Sequence, residues 1–301
     1  MHIPDGFLST AVWATTGAVS LPSIAYFARR TRNILEEGRI PLMGMMGAFV
    51  FAAQMINFPV GVGTSGHLVG GALLAVTLGP AAACIVMTAI LAIQALLFQD
   101  GGVLALGANV LNMALAGVIA GYLPYRYWGA TRYRKAAIFL GGFFSVFVSA
   151  CMAMAQLLMS GVLMPSSIAM ISIGLFAVSA AVEGAITVAV IGALQRLNPR
   201  WVRTSEEGNR AGVGVVLLAA ALLASIGALL ASSLPDGLEM LAQNIGIAGQ
   251  ARSLIQTPLA DYDAKFLHSD WMGKAFAGLL GMAFVYAACR GLGRLAIRRS
   301  A

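Results

Sequence analysis

Apolar positions in this chain come in long uninterrupted runs rather than on one face of each helical turn. Runs of ~20 apolar residues, wound at 1.5 Å per residue, match the ~30 Å hydrocarbon core of a bilayer. Such runs are read at 8–28, 41–57, 68–78, 80–98, 104–124, 136–160, 168–194, 211–231 and 271–293, about nine crossings. The third is too short to cross as a plain helix. It follows from breaking the stretch 68–124 at Gly79-Pro80, with Gln99-Asp100-Gly101-Gly102 as the next turn. Short or broken helices are expected where backbone lines a cavity.

The polar interruptions are basic. Arg29, Arg30, Arg32 and Arg39 form the first cluster, Arg126, Arg132, Arg134 and Lys135 the second, and Arg196, Arg200, Arg203 and Arg210 the third. An odd number of crossings puts all three on the cytoplasmic side, with the N-terminus outside and the C-terminus inside. With 59% hydrophobic and 10% charged residues among 301, one soluble core cannot hold the apolar surface, and the formal charge of +7 reads as this loop bias, not as a nucleic-acid surface. The expected class is an all-α polytopic membrane protein. The polar stretch 196–210 reads as a linker, giving a seven-helix unit over 1–200 and a two-helix unit over 201–301 with an external segment at 232–270.

Candidate chemistry lies at the start of the chain. A free amine on Met1, the peptide nitrogen of His2 and its Nδ1 can close adjacent five- and six-membered chelate rings in one plane around an ion. The fourth corner needs an outside donor. His67, in the glycine-rich loop Gly61-Val62-Gly63-Thr64-Ser65-Gly66, falls on the same external side. A planar four-nitrogen set suits Ni(II) or Cu(II) and not tetrahedral zinc. The opening Met-His-Ile-Pro-Asp-Gly-Phe is not a signal peptide, and histidine is too bulky for removal of the initiator methionine, so Met1 is expected to stay once deformylated. Cys84, Cys151 and Cys289 form no Cys-x-x-Cys pair, and the fifteen methionines are scattered as core residues are.

The segments MHIPDGFLS, GTSGHLVGGALLAVTLGP and MTAILAIQALLFQDGGVLALGANVLNMALAG, in that order, resemble the nickel/cobalt substrate-capture components of energy-coupling-factor transporters, of CbiM/NikM type. The resemblance covers roughly 1–200. It implies that Met1, His2 and His67 hold the ion. Pro235-Asp236-Gly237-Leu238-Glu239 resembles the signature of the accessory component of these systems, here fused to the capture unit, although Pro-Asp-Gly is also a plain turn former, as at Pro4-Asp5-Gly6. The implied function is high-affinity uptake of Ni(II) or Co(II) as transported substrate. The implied partners are a transmembrane coupling (T) component and two ATPase subunits in a bacterial cytoplasmic membrane.

Other residues carry weaker expectations. Ser65, Gln94, Asn109 and Asn112 are candidates to support the histidines by hydrogen bonds. Gly44, Ala48 and Ala52 recur every four residues, a spacing that lets helices approach closely, either within the chain or, as the resemblance implies, against the coupling component. His268 beside Trp271 reads as a boundary residue. Glu183 is the only acid deep in an apolar run; since a charge there costs roughly 3 kcal/mol, it is expected to face the bundle interior with a partner or to be neutral, as a structural hydrogen-bonding group or a proton relay. No Gly-x-x-x-x-Gly-Lys-Ser/Thr or His-Glu-x-x-His occurs, so the chain is read as a transporter component and not an enzyme. The alternatives are a cobalt transporter serving cobalamin synthesis and a self-sufficient proton-driven transporter using Glu183.

Overall fold

A computed structural model describes residues 1–34, 37–61, 63–198, 201–202, 210–227, 231–267 and 269–298. Each predicted run contains a helix, though 68–78 is helical only from Gly71 and 41–57 ends in a strand: α1 (Thr10–Ile34), α2 (Ile40–Gln54), α3 (Gly71–Leu78), α4 (Pro80–Phe98), α5 (Leu106–Trp128), α6 (Arg134–Met159), α7 (Ser166–Leu197), α8 (Arg210–Leu222, continued by a π-wound turn Leu223–Gly227) and, after a short helix α9 (Gly237–Asn244), α10 (Asp270–Arg298). Among the described residues, α4, α5, α6, α7 and the Asp270–Ala296 part of α10 are long and apolar enough to cross a membrane. Apolar side chains such as Met170, Ile171 and Val178 on α7 lie open on the surface, as they would toward lipid. His268 and most of the linker lie outside the described residues; Trp201 and Val202 are buried.

The short run 68–78 is helical only over its last eight residues. The glycine-rich loop is not a loop throughout: Asn57–Gly61 (β1) and Thr64–His67 (β2) pair antiparallel, with Asn57 opposite His67 and Phe58 opposite Gly66. The chain then continues to Gly70, whose φ of +78° opens α3 without a side-chain cap. Eight helical residues give only ~12 Å, short of a bilayer, as expected of a broken helix. Gly79, at φ +81°, reverses the chain, and Pro80 starts α4 where its missing N–H costs nothing.

Close packing joins the two units. A Cβ on Gly44 would meet the Tyr286 ring at 3.0 Å, one on Gly47 the Cys289 sulfur at 2.9 Å, and Ala52 packs with Ala220 and Ala224. Gly44, Ala48 and Ala52 are buried. The small-residue stripe of α2 is therefore packed against α8 and α10 of the same chain, the first of the two packings its spacing allows.

Candidate metal centre

The N-terminal strand is held like a core element. Ile3 is fully buried; its N–H donates to Asn109 Oδ1 at 2.8 Å and its carbonyl accepts from Asn109 Nδ2 at 3.0 Å. The Asp5 carboxylate accepts from the N–H groups of Val103 (2.9 Å) and Ala105 (3.0 Å). The second unit closes the other side, where Arg252 N–H donates to the Asp5 carbonyl at 2.9 Å. These bonds fix the first five residues where chain ends usually fray.

Met1 nitrogen lies 2.8 Å from His67 Nε2 and also ion-pairs with Asp236. The rings of His2 and His67 are parallel within 4°, with centroids 5.5 Å apart. With metal–nitrogen bonds of about 2.0 Å, neighbouring corners of a square lie ~2.8 Å apart, against ~3.3 Å for a tetrahedron. The amine and His67 are joined by a hydrogen bond of that same length, so their separation is compatible with adjacent planar corners. His2 differs from expectation: its Nδ1 faces Asp100 Oδ1 at 3.0 Å, and its Nε2 is buried without a partner. Asp100 thus faces the same Nδ1 that the expected chelate would use. Among the described residues no group of three His, Cys, Asp or Glu side chains is placed to hold a metal ion.

Charge favours a neutral His67 beside a charged amine. Burial pushes the His67 imidazole down to about 4, helped by the Met1 ammonium and His2. Burial raises Asp236, but the ammonium and His67 outweigh it and leave its carboxyl at about 2. Asp100 is likewise held below the usual carboxylate range: burial opposes this, while His2, a Tyr262 hydroxyl donating at 2.6 Å and the ammonium prevail. A cavity of about 690 Å³ adjoins the site, lined by His2, His67, Asp100, Asp236, Glu239 and Tyr262 among others.

The structure brings Met1, His2 and His67 together. It does not put the four expected supporting residues on the histidines. Asn109 grips Ile3 instead, and Ser65 Oγ donates to the Leu234 carbonyl at 2.7 Å. Gln94 donates to Gln54, while Asn112 pairs with Gln156. Short amides and hydroxyls find whichever backbone lies nearest, which spacing alone does not reveal. The groups that do touch the nitrogens, Asp100 and Asp236, went unassigned. The repeat of Pro-Asp-Gly at 4–6 and 235–237 and the Asp236–Glu239 capping-box spacing were the available signals.

An all-helical multi-pass membrane bundle whose first residues build a nitrogen-rich site is the form of a metal-ion transport protein. Residues 2–201 match the family model described as cobalt uptake substrate-specific transmembrane region, and 210–298 match the PDGLE domain. The chain belongs to that cobalt-uptake family, as a CbiM/NikM-type capture component fused to a PDGLE module. It is 30% identical over 331 aligned residues to the fused nickel transport protein NikMN of Rhodobacter capsulatus, covering 95% of each chain. A provisionally named fused nickel transport protein NikMN of Archaeoglobus fulgidus is 32% identical over 294 residues, with 95% of this chain and 96% of that one covered. A crystal structure of a truncated transition metal transporter superposes with a TM-score of 0.59 at 34% identity, covering 65% of this chain and 99% of that one.

Proposed function

We propose that this chain captures Ni(II), and Co(II) less selectively, as the substrate-binding component of an ATP-driven energy-coupling-factor transporter. Its ligands are the Met1 amine, the His2 peptide nitrogen and Nδ1, and His67 Nε2. The observation that carries this reading is the 2.8 Å separation of Met1 nitrogen from buried His67 Nε2. Nickel is preferred because the donors are nitrogens at a planar spacing. The cobalt reading is kept by the family's own description. Residues 1–200 form the capture unit and 201–301 the accessory unit, in the bacterial cytoplasmic membrane with the N-terminus outside. A coupling component and two ATPase subunits supply energy, since the sequence holds no nucleotide motif.

A proton-driven mechanism through Glu183 is disfavoured, because both its carboxylate oxygens accept backbone N–H groups. Metal analysis of protein purified after growth with both ions tests the cargo: nickel at one per chain supports the reading, and a metal-free protein sinks it. Uptake that survives collapse of the proton gradient but fails on ATP depletion supports the energy source; the reverse outcome overturns it.

A further inference from the structure

The peptide segment just after His67 is gripped from both sides by side chains that touch neither histidine. Glu183, on α7 and 1% exposed, accepts the N–H of Val69 through Oε2 and the N–H of Gly70 through Oε1, each at 2.8 Å. From the other side Gln54, at the end of α2, donates Nε2 to the Val69 carbonyl at 2.7 Å. Gln54 Oε1 in turn accepts from Gln94 Nε2 on α4 at 2.8 Å. Two separate helices therefore meet on one residue two places beyond His67, and a third braces one of them through Gln54.

Physical need explains the grip. Val69 and Gly70 lie between β2 and α3, where neither ladder nor helix satisfies their N–H groups, and the opening residue of α3 has no side-chain cap. The carboxylate supplies the missing acceptors at the positive end of that helix. A neutral amide has one acceptor oxygen and an NH2 donor, whereas the carboxylate offers a separate oxygen to each N–H, at the cost of a charge at this depth. The fixed segment also sets His67, whose Nδ1 faces the Leu68 carbonyl at 3.1 Å and whose Nε2 is thereby turned to the Met1 amine.

We infer that Glu183 and Gln54 are positioning residues for metal capture, holding the Val69–Gly70 segment so that His67 Nε2 stands at the planar corner beside the Met1 amine. This rests on the assignment of His67 as a ligand, and the test keeps the two apart. The full chain in detergent or nanodiscs is titrated with Ni(II), and with Cu(II), which the same nitrogens hold more tightly, against a chromophoric chelator. The variants are Glu183→Gln, Gln54→Leu, His67→Ala and each of the first two combined with His67→Ala. Gel filtration and thermal melting check the fold.

Glu183→Gln and Gln54→Leu are expected to weaken binding about tenfold or more, as residues that orient a ligand do. In the His67→Ala background each should change affinity by less than about twofold, because the residue they act through is gone. Equal losses in both backgrounds would mean a general structural role and overturn the inference, as would affinities for both variants within about twofold of wild type. Wild-type binding by His67→Ala alone would remove the ligand assignment beneath it, a result read without either positioning variant. If Glu183→Gln does not fold, Gln54→Leu carries the same comparison from the opposite side of the peptide.

Discussion

Asp236→Asn separates two roles that one carboxylate combines. Asp236 is the N-cap of α9, its Oδ1 accepting from Leu238 and Glu239 N–H at 2.8 Å each, while Oδ2 pairs with the Met1 ammonium. Asparagine caps a helix as well as aspartate, so the helix start is kept and only the charge is removed. The ammonium must lose its proton to bind metal, and Asp236 stabilises the protonated form. Long-range attraction changes little between the states: one positive charge sits there as ammonium, and one net charge remains when a divalent ion displaces a peptide proton.

What differs is the strength of the hydrogen bond to Asp236: the ammonium donates with a full charge, whereas the coordinated amine keeps two N–H groups that donate less strongly. With its Oδ1 on the cap, asparagine offers the amine only Nδ2, a donor, so both bonds are lost: ~1.5–3 kcal/mol to the ammonium and ~0.5–1.5 kcal/mol to the coordinated amine, a difference of about 1 kcal/mol. Asp236→Asn should therefore bind nickel about five- to tenfold more tightly at neutral pH. A competition titration of the two proteins measures this. Thermal melting should separate Asp236→Ala, which also loses the cap at about 1 kcal/mol, from Asp236→Asn. Binding tenfold weaker in Asp236→Asn would refute the reasoning and make the carboxylate a ligand, in line with roughly 1.4 kcal/mol lost.

Three further outcomes are expected. An N-terminal tag, which turns the Met1 amine into a peptide nitrogen, should abolish nickel retention where a C-terminal tag does not; one large residue inserted after Met1 should make any bound metal independent of His67, as checked in the His67→Ala background. The His67 imidazole, lowered from 6.5 to about 4, is neutral when folded while the unfolded chain takes up a proton below 6.5, so stability falls as pH drops from 6.5 toward 4. At pH 5 this amounts to about 2 kcal/mol, and metal-free His67→Ala should lack that acid sensitivity in melts at pH 7.5 and 5. Asn109→Leu, which removes both bonds to Ile3, should free the chain end and lower nickel affinity, whereas limited proteolysis of the helices should be unchanged.

The helices were legible because bilayer thickness sets their length, and a run such as 136–160 has one way to satisfy its backbone in lipid. The pairing of Met1 with His67 was legible for a different reason: chelate geometry leaves one corner open, and topology puts one histidine near it. The acids around it were not, since Asp236 lies 235 residues from Met1 and Asp100 reaches His2 only through the turn after α4. The stripe on α2 showed that something packs closely there, not that α8 and α10 of the same chain do. The β1–β2 hairpin was hidden because Gly, Thr and Ser in 61–66 are turn formers first.

That hairpin shows why the accessory unit belongs to the site and not merely beside it. Two short strands are marginal alone. Here Ser65 N–H donates to the Pro235 carbonyl at 2.8 Å, and Ser232 N–H to the Asn57 carbonyl at 2.8 Å, so the second unit binds both strands. The same turn that delivers Asp236 to the amine thus also braces the strand that ends in His67. Loss of the turn would remove a counter-ion and loosen a ligand together, whereas Asp236→Asn touches only the first. A larger effect of deleting 232–237 than of Asp236→Asn on nickel affinity follows from that arrangement, and the direction should reverse as well, because bracing favours the bound state while the carboxylate favours the empty one.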